Sequence, residues 1–282
     1  MIPHCWIEMQ VFSMPLGQIK QVLGRKRLRI DRKQIVAYLI GLMSQQTLLR
    51  HHKAIHALDN CGVGYAAFMH GVGLVAPLWR HLEQDYRNQQ SIGFDMKTLV
   101  DSSLLPSKDQ ASIRSKDWEA GRCTVRPGLE GSKQKICGEK MLTVLNSLGQ
   151  IVSCSLMPTI NSADDHVFKQ PLYWARQGLR QGVLLVDRGF SNKAVRSGID
   201  FLRKTLPGYT VKLISPPRAR QTWILTADER ALYRERWAIE EVFRQLKDPQ
   251  GRFRLTMRGV RRSVIREARV AIATLAWNME HT

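Results

Sequence analysis

Asp101 and Asp187 each close a short apolar run, Thr98-Leu99-Val100 and Gly182-Val183-Leu184-Leu185-Val186, with the length and composition of a buried strand. Ligands and catalytic groups collect at strand ends in an open α/β sheet, although one such acid by itself means little. A third acid, Glu240, lies in a helical segment, 231–247, together with Tyr233, Arg236 and Lys247. Ile239, Val242, Phe243 and Leu246 fall at i, i+3, i+4 and i+7 and define the core-facing stripe of that helix. Tyr233, Arg236, Glu240 and Lys247 form a second stripe about a quarter turn away. Three carboxylates make a candidate site for a hard divalent cation, and an acid flanked by Arg236 and Lys247 suits a phosphate-handling surface. The same spacing fits a solvated helix stabilised by an Arg236–Glu240 pair at i, i+4, so spacing leaves both readings open.

These side chains need a frame. From about residue 97 the pattern predicts a strand ending at Asp101, then two strand-like runs, 136–146 and 151–157, joined by the turn Ser147-Leu148-Gly149. A helix over 164–179 follows, with Asn161, Ser162 or Asp164 available to cap it. Next come a strand over 182–187, a helix over 192–205, a strand over 209–215 and a long helix over 226–247. This order predicts a mixed α/β sheet with helices on its faces. The Gly-rich, charged stretch 114–134 reads as a loop. Residues 13–90 read as helical, with Ile19, Val22 and Leu23 on one apolar stripe and Ile35, Leu39, Leu42 and Met43 on another. Between these stripes lies a basic segment from Arg25 to Lys33, fit either to grip DNA phosphates or to be a solvated loop.

Composition points to the same class of partner. Lys and Arg total 43 against 24 acidic residues, a formal net charge of +19, which favours a polyanion. A membrane surface is the weaker option. The nearest candidate for a span, 61–79, has no formal charge but carries four glycines and Pro77 and reads as a buried helical hairpin instead. Residues 1–12 lack the charged start and apolar run of a secretory signal, which implies the cytoplasm. Five scattered cysteines with no C-x-x-C pair argue against a disulfide framework or a zinc site. His52 and His56 share a helix face beside His51, but without cysteine or acidic partners they are not expected to bind metal. His166 is read as belonging to a helix start. Beyond Lys247 a basic run through Arg252, Arg258, Arg262, Arg266 and Arg269 interleaves with apolar residues, predicting a basic amphipathic helix whose Arg face meets DNA.

The pattern Tyr-x-x-Arg-x-x-x-Glu-x-x-x-x-x-x-Lys, met by Tyr233, Arg236, Glu240 and Lys247, resembles the signature of DDE transposases from bacterial insertion sequences. Other blocks agree in order. Leu99-Val100-Asp101-Ser102-Ser103 looks like that family's first strand with its first catalytic aspartate. Gly138-Glu139-Lys140, followed by Gly149, looks like its central hairpin, and Val186-Asp187-Arg188-Gly189-Phe190 like its second-aspartate block. The resemblance covers about residues 97–279.

It implies a ribonuclease-H-like fold, a mixed sheet flanked by helices, with residues 1–95 as a basic helical DNA-binding domain and 96–282 as the catalytic domain carrying a basic C-terminal helix. It implies that Asp101, Asp187 and Glu240 are catalytic and hold two Mg²⁺ or Mn²⁺ ions, and that Tyr233, Arg236, Lys247 and Arg188 contact DNA. The implied partners are double-stranded DNA, as the terminal inverted repeats of an element and as target DNA, and a second copy of the chain in the DNA complex. The implied setting is the nucleoid of a bacterial cytoplasm. A catalytically inactive DNA-binding remnant and a metal-dependent nuclease of the same fold are the alternatives.

Overall fold

The computed structural model describes residues 2–25, 30–46, 65–108, 113–115, 119, 123–127, 133–157, 171–187, 193–216, 224–248, 253, 255–257, 260 and 262–282. The chain divides into two compact units, one built from Met1–Ser91 with Gln245–Glu280 and the other from Ile92–Arg244.

The first unit is helical: α1 (His4–Ser13), α2 (Leu16–Val22), α3 (Arg32–Gln46), α4 (Tyr65–Val75) and α5 (Pro77–Gln89). Proline at the first turn of α5 starts that helix without losing a hydrogen bond. Leu78, Trp79, Leu82, Glu83 and Tyr86 then bury one face. The C-terminal helix, Ser263–Glu280, packs on α5 and α3. Residues 245–280 thus group with the N-terminal helices, whereas the sequence pattern assigns them to the same domain as the strands.

The basic amphipathic character expected of that C-terminal helix is not what forms. Ala268 to Asn278 is an unbroken buried run, and a helix covered around its circumference is an interior helix. Arg266 and Arg269 are 7% and 8% exposed. Arg266 Nε donates to the Val260 carbonyl at 3.1 Å and Arg269 Nη1 to the Thr256 carbonyl at 2.7 Å, so both guanidinium groups close the preceding loop instead of facing DNA. Arg32, the first residue of α3 and part of the basic stretch 25–33, likewise donates to the carbonyls of Phe12 and Met14.

The second unit holds a six-stranded mixed sheet. Its strands are β1 (Lys97–Lys108), β2 (Cys123–Pro127), β3 (Lys133–Leu145), β4 (Ile151–Met157), β5 (Val183–Val186) and β6 (Lys212–Ile214), in the order β2-β3-β1-β5-β6 with β4 also paired to β3. β5 runs parallel to β1 and β6; the other pairings are antiparallel. The loop expected over 114–134 is therefore in part the strand β2, held by antiparallel pairing of Cys123–Pro127 with β3. The β3–β4 turn forms as expected, with Gly149 at φ 76° supplying a left-handed conformation that other residues rarely adopt. Of the helix expected over 164–179, residues 171–176 are helical and 164–170 lie outside the described residues, as do His51, His52, His56 and His166.

Period-two alternation along β5 puts Leu184 and Val186 on one face, where they join Val100, Leu142, Val144, Trp174, Val195, Ile199 and Leu202 in one buried cluster. Val195, Ile199 and Leu202 come from α6 (Lys193–Thr205). Each such side chain contributes about 1.5–3 kcal/mol on burial, which anchors the paired segments of β1 and β5 that lead into the two aspartates. After β6 the chain forms α7 (Ala227–Arg234) and α8 (Trp237–Lys247); the C-terminal helix Ser263–Glu280 is α9. No helix among the described residues is long and apolar enough to cross a membrane.

Candidate active site

The parallel pairing of β1 with β5 runs from Lys97↔Val183 to Val100↔Val186 and stops there. The next residue on each strand is an aspartate, so Asp101 and Asp187 emerge side by side at the edge of the parallel region. β1 itself does not end at Asp101, as its short apolar run suggests. It continues to Lys108 along β3, which pairs Asp101 with Thr143 and supplies the ladder that β5 no longer gives.

The third acid arrives on a broken helix. Sequence periodicity predicts one helix over 226–247, but the chain turns tightly between α7 and α8. Glu235, Arg236, Ala238 and Ile239 each donate their backbone N–H to the residue three positions back, at 3.0–3.1 Å. Such a tightened turn within a helical path re-aims the side chains that follow it. α7 is fixed from its start by a capping box, in which Thr226 Oγ1 accepts from the Glu229 N–H and Glu229 Oε2 accepts from the Thr226 N–H. Lys212 pairs with Glu229 at 2.9 Å, and Lys97 pairs with Glu235, so strands β6 and β1 both hold this helix in place.

The turn directs Arg236 to the point on β1 where its parallel pairing with β5 ends. Its Nη1 donates to Asp101 Oδ2 at 2.7 Å and its Nη2 to Glu240 Oε1 at 2.5 Å. The i, i+4 pair that the sequence leaves open is thus present, but the same guanidinium also reaches a strand residue 135 positions away. Its centre lies 5.6 Å from the Tyr233 ring centroid, within cation–π range. The Tyr233 hydroxyl donates to Asp187 Oδ1 at 3.5 Å, a long contact. Ser102 N–H donates to Asp101 Oδ1 at 2.7 Å, and Ser215 Oγ donates to the Asp187 carbonyl at 3.3 Å.

The electrostatics follow from this packing. Burial pushes the Asp101 carboxyl above its ordinary pKa of 3.8; the Ser102 N–H and the Arg236 charge oppose the shift, while Asp187 adds to it. For Arg236, burial alone disfavours the charge, but Asp101, then Tyr233, Asp187 and Glu240, outweigh it and raise its pKa. Burial also raises the Tyr233 phenol. One cation therefore serves as the common neighbour of all three acids. The side chains of Asp101 and Arg236 are 16% and 13% exposed and that of Glu240 is 48% exposed, which leaves the cluster open on the Glu240 side.

The chain's similarities to known proteins coincide with this site. A family model described as "Transposase DDE domain" matches residues 93–279. The chain belongs to the DDE transposase family. Among solved structures, the piggyBac transposase in a synaptic complex with hairpin DNA has a TM-score of 0.50 at 9% identity, covering all of this chain and 76% of that one. This likeness shows the fold, a ribonuclease-H-like mixed sheet flanked by helices. A Mos1 transposase paired-end complex with the left transposon end has a TM-score of 0.25 at 11% identity, covering 72% of this chain and 60% of that one. No curated protein sequence matches the chain.

Of the site residues drawn from the transposase signature, the fold gathers Asp101, Asp187, Tyr233, Arg236 and Glu240. Lys247 is the last residue of α8, in the segment that belongs to the helical unit. Arg188 lies outside the described residues. Among the described residues no group of three or more His, Cys, Asp or Glu side chains is close enough to hold a metal ion. The donor chemistry nonetheless fits a hard divalent cation: two partly buried carboxylates meet at the strand edge, and a third is tied to them through Arg236. Sequence reasoning missed Ser102 and Ser215, which orient the two aspartates, and the lysines that hold α7; nothing in their spacing marks them.

Proposed function

We propose that this transposase cleaves DNA at the ends of its element and joins those ends to target DNA, with Asp101, Asp187 and Glu240 as the catalytic acids. The observation that carries the proposal is the Arg236 guanidinium bonded to both Asp101 and Glu240 and influenced by Asp187, which links β1 with α8 where the parallel pairing of β1 and β5 ends. The Tyr-Arg-Glu-Lys spacing supports membership of the subgroup found in bacterial insertion sequences, acting on the DNA of the bacterial nucleoid.

Asp101, Asp187 and Glu240 would hold two Mg²⁺ or Mn²⁺ ions, which when bound activate the attacking oxygen and stabilise the leaving one at a phosphodiester. The chain's own residues do the positioning. Tyr233, Arg236, Lys247 and Arg188 contact the phosphates beside the cut, where a planar guanidinium can take two phosphate oxygens at once. Partial burial of Asp101 and Arg236 strengthens each interaction relative to open water. The net charge of +19 draws duplex DNA to the surface, and the solved neighbour with the same fold is a transposase bound to hairpin DNA. Bringing two element ends together calls for a homodimer in the DNA complex.

Cleavage of a DNA end from the source element, with Mg²⁺, tests the proposal with wild type beside Glu240→Gln. Wild type should cut, and the variant should bind without cutting. If both bind and neither cuts with any divalent ion, the chain is a DNA-binding remnant. If wild type cuts but never joins a labelled end to target DNA, it is a nuclease of the same fold.

A further inference from the structure

We infer that Arg236 is the resident cation of the acidic cluster in the DNA-free protein, and that its guanidinium must leave Asp101 and Glu240 before a divalent ion enters. The inference rests on the metal-site reading above and adds an order of events to it: DNA binds first, the metal second.

The geometry points this way. Two nitrogens of one planar group each take an oxygen from a different acid, at 2.7 Å from Asp101 and 2.5 Å from Glu240. The guanidinium fills the space between the two carboxylates, so the same two oxygens cannot at once close on a smaller ion placed between them. Among the described residues no three acids are close enough to share a metal, while Arg236 bonds two of them and feels the charge of Asp187. A merely structural helix pair would not explain the bond to Asp101, which comes from a strand and is the more buried of the two partners.

Arg236 sits at the tightened turn between α7 and α8, where backbone N–H groups bond three residues back rather than four. The Tyr233 face, 5.6 Å from the guanidinium, offers a surface along which it can swing. A DNA phosphate presents two charged oxygens that match the guanidinium fork, so it can replace the carboxylates as partner. Each partner exchange then leaves the acids free for the divalent ion. Such a device keeps the DNA-free transposase poorly loaded with metal and couples loading to the presence of a backbone to cut.

The test is Mn²⁺ binding to the full chain without DNA, followed by the electron paramagnetic resonance signal of free Mn²⁺, for wild type, Arg236→Gln, Arg236→Lys and Asp101→Asn. The lysine variant keeps the charge but cannot bridge two carboxylates, and circular dichroism checks that each variant is folded. Arg236→Gln should bind Mn²⁺ roughly tenfold or more tightly than wild type, within the usual range of site coupling, and Arg236→Lys should fall between them. Adding Asp101→Asn to Arg236→Gln should remove the gain. Equal or weaker Mn²⁺ binding by both Arg236 variants overturns the inference. If Asp101→Asn still weakens binding in that case, the metal-site reading survives; if it has no effect in any background, both fall.

Discussion

Arg236 and Asp101, 135 residues apart in sequence, are joined by a 2.7 Å hydrogen bond from Nη1 to Oδ2. The bond connects the head of α8 to the point on β1 where parallel pairing ends. The same guanidinium also bonds Glu240 and feels the charge of Asp187, so one cation is common to all three acids.

Asp101→Asn and Glu240→Gln keep the size of the side chains while removing a charge. Each should lower end cleavage by at least ~100-fold, the scale of losing one electrostatic contributor to a transition state, with DNA affinity changed only a few-fold. Single-turnover cleavage beside a gel-shift titration measures both. Cleavage within a few-fold of wild type for either variant would remove that acid from the catalytic set.

Asp101 should also cost stability in the DNA-free protein. Burial raises its folded pKa above 3.8, so the unfolded chain releases the proton first as pH rises, and the folded state loses stability as pH climbs through the folded pKa. At pH 7, Asp101→Asn should therefore melt at a higher temperature than wild type, and the gap should close at pH 3. A lower melting temperature for the variant at pH 7 would show that the Arg236 and Ser102 bonds outweigh the cost of burial.

Arg269 separates structural from DNA-directed charge. Burial lowers its pKa to about 10, and its Nη1 holds the Thr256 carbonyl at 2.7 Å. Arg269→Met should destabilise the protein by about 2–3 kcal/mol, the loss of a charged hydrogen bond to a buried acceptor. The slope of DNA affinity against salt should stay unchanged, because no phosphate contact is lost. A shallower slope would place Arg269 on DNA after all.

Gly138 lies on β3 opposite Pro106 of β1. A Cβ there would stand 2.2 Å from the Leu105 carbonyl oxygen, a backbone atom that cannot rotate away. Gly138→Ala should cost about 2 kcal/mol or more through forced separation of the strands, read as a shift in the urea midpoint. An unchanged midpoint would mean that the sheet opens there at little cost.

Tyr209 buries a phenol whose oxygen has no hydrogen-bond partner among the described residues, and burial pushes its pKa to about 12. The unfolded phenol ionises first, near 10, so its contribution to stability is complete below that pH and is lost as pH rises toward 12. Tyr209→Phe should be neutral or stabilising at pH 7, since it removes an unsatisfied buried hydroxyl, and should lose less stability than wild type above pH 10. Destabilisation by more than ~1 kcal/mol at pH 7 would reveal a partner for that hydroxyl.

Much of the strand-bearing unit was legible from local pattern. The β3–β4 hairpin, the apolar β5 ending at Asp187, and the helix α6 follow from residue period and from Gly149 in its turn, which depend on neighbours in sequence. The two aspartates and Glu240 could be named because their residue types and order carry the family signature. What local pattern missed depended on partners far away. β1 runs on past Asp101 because β3 offers it a ladder, and β2 is a strand because β3 pairs with it, not because its own residues alternate. The break before α8 contains neither proline nor glycine, so nothing in its sequence marks it, and the two salt-bridged lysines on β1 and β6 become visible only when the strands are in place.

The sequence by itself determined the family, because charge, residue type and spacing are properties of the chain. Tertiary structure alone decided which charges are available. Arg266 and Arg269 look like a DNA-binding face along the chain, yet both are buried, since the helix that carries them is covered on all sides and their guanidinium groups are needed by carbonyls left open in the preceding loop. Arg236 looks like half of a surface pair, yet it bridges a strand and a helix, because the turn before α8 swings it toward a carboxylate that burial has deprived of water. An unpaired charge or carbonyl out of water takes whichever partner the fold brings within reach, and no spacing along the chain encodes that reach.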